Sequence, residues 1–125
     1  MNKEKFSIKD RLRSFRFAFR GIGFLISGEH NAWIHCFAAL CVVICGFLFD
    51  ISALEWVAVC FAIGFVLAME AINSAIELLC DFVSPERRDI IGRTKDLAAG
   101  AVLLAAITAA VIGGIVFFPK IALLF

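Results

Sequence analysis

Residues 97–118 run for 22 positions without a charged side chain, and two further apolar runs, 34–49 and 54–69, precede them. No other feature constrains the fold as strongly, because ~20 mostly apolar residues are what a helix needs to cross a bilayer. Within hydrocarbon the backbone must satisfy its own polar groups, so helices are the expected form. The first run extends backward through Ala32 and Trp33, and the second keeps its helical pattern through Ile72, Ala75, Ile76 and Leu79. The expected spans are therefore 32–49, 54–81 and 97–118, with Pro119 expected to stop the last. Composition agrees: 62% of the 125 residues are hydrophobic and mean hydropathy is +0.97. Soluble domains run about 45–50% apolar, and disorder needs low hydrophobicity with high net charge. A formal charge of +1 argues against nucleic acid as a partner. The chain reads as one domain over residues 1–125, an all-α integral membrane protein.

Cys36, Cys41, Cys45, Cys60 and Cys80 lie inside apolar stretches and form no CxxC pair or zinc spacing, so they read as small apolar packing residues. Trp33 and Trp56 suit the two interfacial belts, and Gly113, Gly114 and the Ala-rich stretch 105–110 allow close helix approach.

Basic residues set the expected orientation. Lys3, Lys5, Lys9, Arg11, Arg13, Arg16 and Arg20 precede the first span, and Arg87, Arg88, Arg93 and Lys95 fall in the expected 82–96 loop. The 50–55 connection carries no Lys or Arg, and Lys120 is the last one. The positive-inside rule puts the N-terminus and the 82–96 loop in the cytoplasm. The charged N-terminal stretch has no signal-peptide core. Instead Ile8, Leu12, Phe15, Phe19 and Ile22 form an apolar stripe, and Lys9, Arg13, Arg16 and Arg20 run about 100° from it. A basic amphipathic helix lying in the headgroup plane is expected within residues 1–30.

The chemistry-bearing stretch is Glu70, Asn73, Glu77 and Asp81. At 100° per residue these four share an arc of about 80°, with Ser74 beside them. Ionisable groups at membrane depth are costly and normally mark function. Three aligned acids repel one another and need a metal ion, Lys or Arg partners, or shared protons. Carboxylates with open positions take Mg²⁺ through oxygen, together with substrate phosphates. Glu29, just before the first span, lies at the same level, and the basic loop lies nearby. Acids, cations and a membrane edge suit phosphoryl transfer to a lipid, which needs charge neutralisation, alignment and a base for the attacking hydroxyl. His30 and His35 read as interfacial residues on different faces of the first span.

Glu70, Asn73-Ser74, Glu77 and Asp81, followed by Gly92-Arg93, Lys95-Asp96, Ala98 and Gly100-Ala101-Val102, resemble the motifs of the small prokaryotic diacylglycerol kinase family, which includes the undecaprenol kinases. The resemblance covers nearly the whole chain. It implies a homotrimer with shared active sites that passes the γ-phosphate of ATP to a membrane lipid alcohol. By that resemblance Glu70 is the base that accepts the lipid hydroxyl proton, and Asn73 orients it or a phosphate oxygen. Glu29 and Glu77 are the implied metal ligands, with Mg²⁺ the metal. Phe17, Glu29, Glu77, Glu86, Arg87, Arg88, Lys95 and Asp96 are the implied ATP-binding residues, with Lys95 on phosphate. Glu70 and Ala99 are the implied lipid contacts. Phe17 stands where some members carry Tyr, Arg88 where a His is frequent, and Asp10 where some carry a basic residue. Ser84-Pro85-Glu86 and the run from Lys95 to Ala101 look more like the undecaprenol kinase branch. The implied location is the bacterial cytoplasmic membrane.

A different class, a small transporter or channel subunit using the aligned acids for cations or protons, remains the alternative. Three features weigh against it: the acids cluster at one end of the second span, the third span has no polar residue facing them at mid-depth, and a basic loop suits ATP better than a cation.

Overall fold

The computed structural model describes residues 5–86 and 88–125 as four helices: α1 (Ile8–Gly28), α2 (His30–Leu48), α3 (Ala53–Val83) and α4 (Asp89–Ala122). The last three are long and apolar enough to cross a membrane. Most of their large side chains, among them Phe37, Leu40, Phe61, Leu103 and Ile107, are exposed. In water that surface would be a liability, whereas against acyl chains it is the expected exterior.

The amphipathic helix forms as expected, capped by Ser7, whose hydroxyl accepts the Asp10 amide. Its stripe from Ile8 to Ile22 is exposed, and Leu25 is its single buried residue. One residue, Glu29, separates α1 from α2. It is extended (φ −112°, ψ 116°) and serves as C-cap of one helix and N-cap of the next. Its amide donates to Leu25 O, its carbonyl accepts the Trp33 amide, and the Trp33 indole donates across the corner to Ile26 O. The backbone thus meets the demands of both helix ends, and the Glu29 carboxylate makes no cap hydrogen bond.

The α2–α3 connection is a Schellman turn: the Ile51 amide donates to Gly46 O and the Asp50 amide to Phe47 O. Asp50 takes the left-handed conformation (φ 51°), which Asp tolerates better than branched residues. Ser52 and Glu55 then form a reciprocal capping box at the start of α3. The second carboxylate oxygen of Glu55 meets Lys120 Nζ at 2.9 Å, tying the start of α3 to the end of α4. Just inside that tie, Ile51, Val59, Val116 and Phe117 form the apolar core, flanked by Phe49, Trp56 and Ile112. Trp56 lies directly on Gly46.

Several boundaries differ from the sequence reading. Pro119 does not stop the last helix; it lies inside α4, which continues to Ala122. In the final turn proline forfeits one hydrogen bond, and the extra residues bring Lys120 to Glu55. The expected 82–96 loop is cut from both sides, since α3 runs to Val83 and α4 starts at Asp89. Ser84 ends α3 in an extended conformation, as a residue before proline should. From Asp89 the chain is helical, so Arg93, Lys95 and Asp96 lie on α4 rather than in a loop. An acidic residue in that first turn suits the helix dipole. Finally, α2 starts two residues before the expected span, and α3 runs two beyond it.

Length decides where the site lies. At about 1.5 Å per residue, α3 spans roughly 46 Å and α4 roughly 51 Å, against a hydrocarbon core of about 30 Å. Both are therefore longer than the hydrocarbon is thick, and Asp81, Arg93, Lys95 and Asp96 make the end joined by residues 84–88 the one suited to water. Glu70 lies about 26 Å along α3 from Ala53, close to where the hydrocarbon gives way to headgroups.

Candidate functional site

Glu70, Asn73 and Ser74 are the buried polar residues of the described chain, with Glu70 only 1% exposed. Their burial follows from where α3 packs: its main neighbour is α4 and its second is α2. Facing positions on α4 include the small residues Ala98 and Ala105, which let the helices approach closely. Both carboxylate oxygens of Glu70, Asn73 Oδ1 and Ser74 Oγ are buried without a hydrogen-bond partner in the chain. Buried polar groups are almost always paired, so four atoms on one helix face without a hydrogen bond mark a place where partners are still to be supplied.

Around Glu70 the ionisable groups within electrostatic reach are His35, Glu29 and Glu77. His35 Nε2 stands 3.6 Å from Glu70 Oε2, an ion-pair distance rather than a hydrogen bond. The reading of His35 as an interfacial residue left out this contact: its imidazole faces the buried acid. The sequence criterion that singled out Glu70, an ionisable side chain inside an apolar run, applies equally to His35 and could have found it. Glu29 and Glu77 are half-buried, one at the α1–α2 corner and one two turns along α3 from Glu70.

The fourth acid has a different role. Asp81 is exposed and pairs with Lys95 Nζ at 2.5 Å, linking α3 to α4. A cation therefore relieves part of the repulsion among the aligned acids. Phe17, Glu86, Arg88, Asp96 and Ala99 are all exposed. Phe17 shares a surface hollow on α1 with Arg13, Arg16 and Arg20. Arg87 lies outside the described residues. One chain thus gathers Glu29, His35, Glu70, Asn73, Ser74 and Glu77, and leaves Phe17, Glu86, Arg88 and Asp96 of the expected nucleotide residues open on its surface.

Next to this cluster lies an apolar cavity of about 280 Å³ between α2, α3 and α4, lined by His35, Ala39, Ala62, Leu67, Ala106 and Gly113 among others. His35 is its one ionisable lining residue.

No group of three His, Cys, Asp or Glu side chains preformed for a metal occurs among the described residues. Magnesium does not need one, since it commonly takes one or two carboxylates and completes its shell with water and substrate phosphate oxygens. Glu29 and Glu77, half-buried and flanking the orphaned oxygens, fit a metal of that kind.

Fold and site together define a small helical membrane protein whose one buried acid among the described residues, Glu70, lies where a polar group at the bilayer edge can reach it. The profile of the family described as prokaryotic diacylglycerol kinase matches residues 16–117, so the chain belongs to that family and is a lipid kinase. The undecaprenol kinase of Bacillus subtilis (strain 168) is 38% identical over 87% of this chain and 89% of its own length. The diacylglycerol kinase of Synechocystis sp. is 32% identical over 88% of this chain and 63% of its own. That of Haemophilus influenzae is 29% identical over 86% and 92%.

Proposed function

We propose that this protein transfers the γ-phosphate of ATP to the hydroxyl of a membrane lipid alcohol, undecaprenol or diacylglycerol, releasing the lipid phosphate and ADP. The observation that carries the reading is the buried, unpartnered Glu70 carboxylate at the edge of the hydrocarbon. A soluble nucleophile would not need its base there; a lipid hydroxyl held at headgroup depth does. Glu70 takes the hydroxyl proton as the lipid oxygen attacks phosphorus and the bond to the ADP oxygen breaks. Asn73, one turn further along α3, orients the base or a phosphate oxygen. Ala99, exposed on α4, is the second lipid contact.

Glu29 and Glu77 hold Mg²⁺, which when bound offsets the charge of the ATP phosphates. Lys95 contacts phosphate from the Asp81 pair, and Asp96, Glu86, Arg87, Arg88 and Phe17 complete the nucleotide site. Phe17, Glu86, Arg88 and Asp96 are exposed on a single chain, and the buried oxygens of Glu70, Asn73 and Ser74 accept no hydrogen bond within it. Both features support a homotrimer whose sites are shared between copies. The cation-rich N-terminal stretch and the 84–95 region support a cytoplasmic active face, in the bacterial cytoplasmic membrane. The 38%-identical relative bears the name undecaprenol kinase, which favours a polyprenyl acceptor.

The test is transfer of labelled phosphate from ATP with Mg²⁺ in detergent micelles, with undecaprenol and diacylglycerol offered side by side. Phosphorylation of either upholds the reading, and the preferred lipid settles the branch. Transfer to neither, together with no ATP binding, overturns it.

A further inference from the structure

Glu70 has an electrostatic problem that its own helix worsens. It is buried, it accepts no hydrogen bond, and the acids within reach, Glu29 from the α1–α2 corner and Glu77 from α3, are of like charge. The α4 positions buried at this end, Ala98 and Ala105, are apolar. A lone carboxylate in such a place neutralises itself unless a donor or cation meets it, and a neutral carboxylic acid cannot serve as a base. Among the described residues one side chain meets it: His35, whose Nε2 lies 3.6 Å from Oε2.

The contact is specific in two respects. It involves one carboxylate oxygen, Oε2, so Oε1 is left for the acceptor hydroxyl. His35 also lines the apolar cavity between α2, α3 and α4 and joins it to the acid. An apo distance slightly beyond hydrogen-bond range is common for catalytic pairs, which tighten when substrate excludes water.

We propose that His35 is the positioning residue for Glu70: it donates from Nε2 to Oε2, holds the carboxylate in its basic form, and turns Oε1 toward the lipid hydroxyl. The proposal rests on the reading of Glu70 as the base. His35 itself touches neither the nucleotide nor the reacting phosphorus, and its effect falls on the chemical step.

The experiment uses the full chain in micelles, with kcat and ATP KM measured for wild type, Glu70→Gln, His35→Ala and His35→Gln, each with and without added imidazole. The expected result is that His35→Ala loses about tenfold or more in kcat with an ATP KM within about twofold of wild type. His35→Gln, which keeps an N–H donor, retains more activity than His35→Ala. Added imidazole restores part of the rate in His35→Ala and none in Glu70→Gln. A misfolded variant cannot be rescued by a small molecule, so rescue separates positioning from structural support. Unchanged kcat in His35→Ala while Glu70→Gln is inactive overturns this proposal alone, as does a loss that imidazole leaves untouched. If Glu70→Gln keeps the wild-type rate, the base reading fails and the role of His35 falls with it.

Discussion

The Lys95 ammonium and the Asp81 carboxylate, fourteen positions apart in the chain, meet at 2.5 Å where α3 and α4 emerge from the apolar slab. Both side chains keep substantial solvent contact, so the pair holds a cation in place more than it holds the fold together. Asp81→Asn is expected to leave stability little changed, since exposed pairs contribute little to it. By releasing Lys95 from its fixed position it raises the ATP KM several-fold, with kcat little changed. Lys95→Ala removes the proposed phosphate contact itself and is expected to have the larger effect. ATP titrations of the two variants in the transfer assay check the order; a stronger effect from Asp81→Asn would mean that Lys95 is not the nucleotide ligand.

Replacing Glu70 separates function from stability. Glu70→Gln keeps the volume of the side chain and discards the proposed base, so kcat is expected to fall by about 10²–10⁴-fold. Because the carboxylate is buried without a hydrogen bond, a neutral isostere costs the fold little, and the melting temperature in detergent is expected to hold or rise. A marked drop in melting temperature together with lost activity would assign Glu70 a structural role.

Glu77 is half-buried two turns beyond Glu70 and tests the metal assignment. Glu77→Gln is expected to raise the Mg²⁺ concentration needed for half-maximal rate by tenfold or so, in line with losing one charged ligand. At saturating Mg²⁺ much of the rate returns. A Mg²⁺ titration identical to wild type would remove Glu77 from the metal site.

At the far end of the bundle, Gly46 has no room for a side chain. A Cβ there would sit 2.5 Å from the Trp56 ring, which packs between Phe47 and the core around Val59. Gly46→Val forces α2 and α3 apart and is expected to cost about 1–3 kcal/mol. Lower thermal stability in micelles, partly recovered by the compensating change Trp56→Leu, would show that the clash is the cause. The kinetic constants of the surviving protein stay near wild type, since the site lies at the other end of α3.

Much of this architecture is written in local pattern. Uncharged runs long enough to cross a bilayer have only helices available to satisfy their backbone, so three of the four helices follow from length and hydropathy alone. The stripe from Ile8 to Ile22 specifies the fourth, and the 3.6-residue period places Glu70, Asn73 and Glu77 on one face whatever surrounds them. Family motifs are likewise linear features, which is why membership was legible before any contact was known.

What packing decided is which side chains cover that face. Residues 89–96 looked like loop because they are polar, yet helix α4 extends through them, since a helix leaving the bilayer can clothe itself in water-facing charges. Pro119 looked like a stop, but in a last turn it forfeits too little to end α4 before Lys120 reaches Glu55, 65 positions away. His35 and Glu70 are likewise 35 positions apart, and no periodicity relates residues on different helices. A helix fixes the angle between its own side chains; only the close approach of α2 and α4 to α3 determines that Glu70 is buried, that His35 faces it, and that Asp81 has a cation to itself.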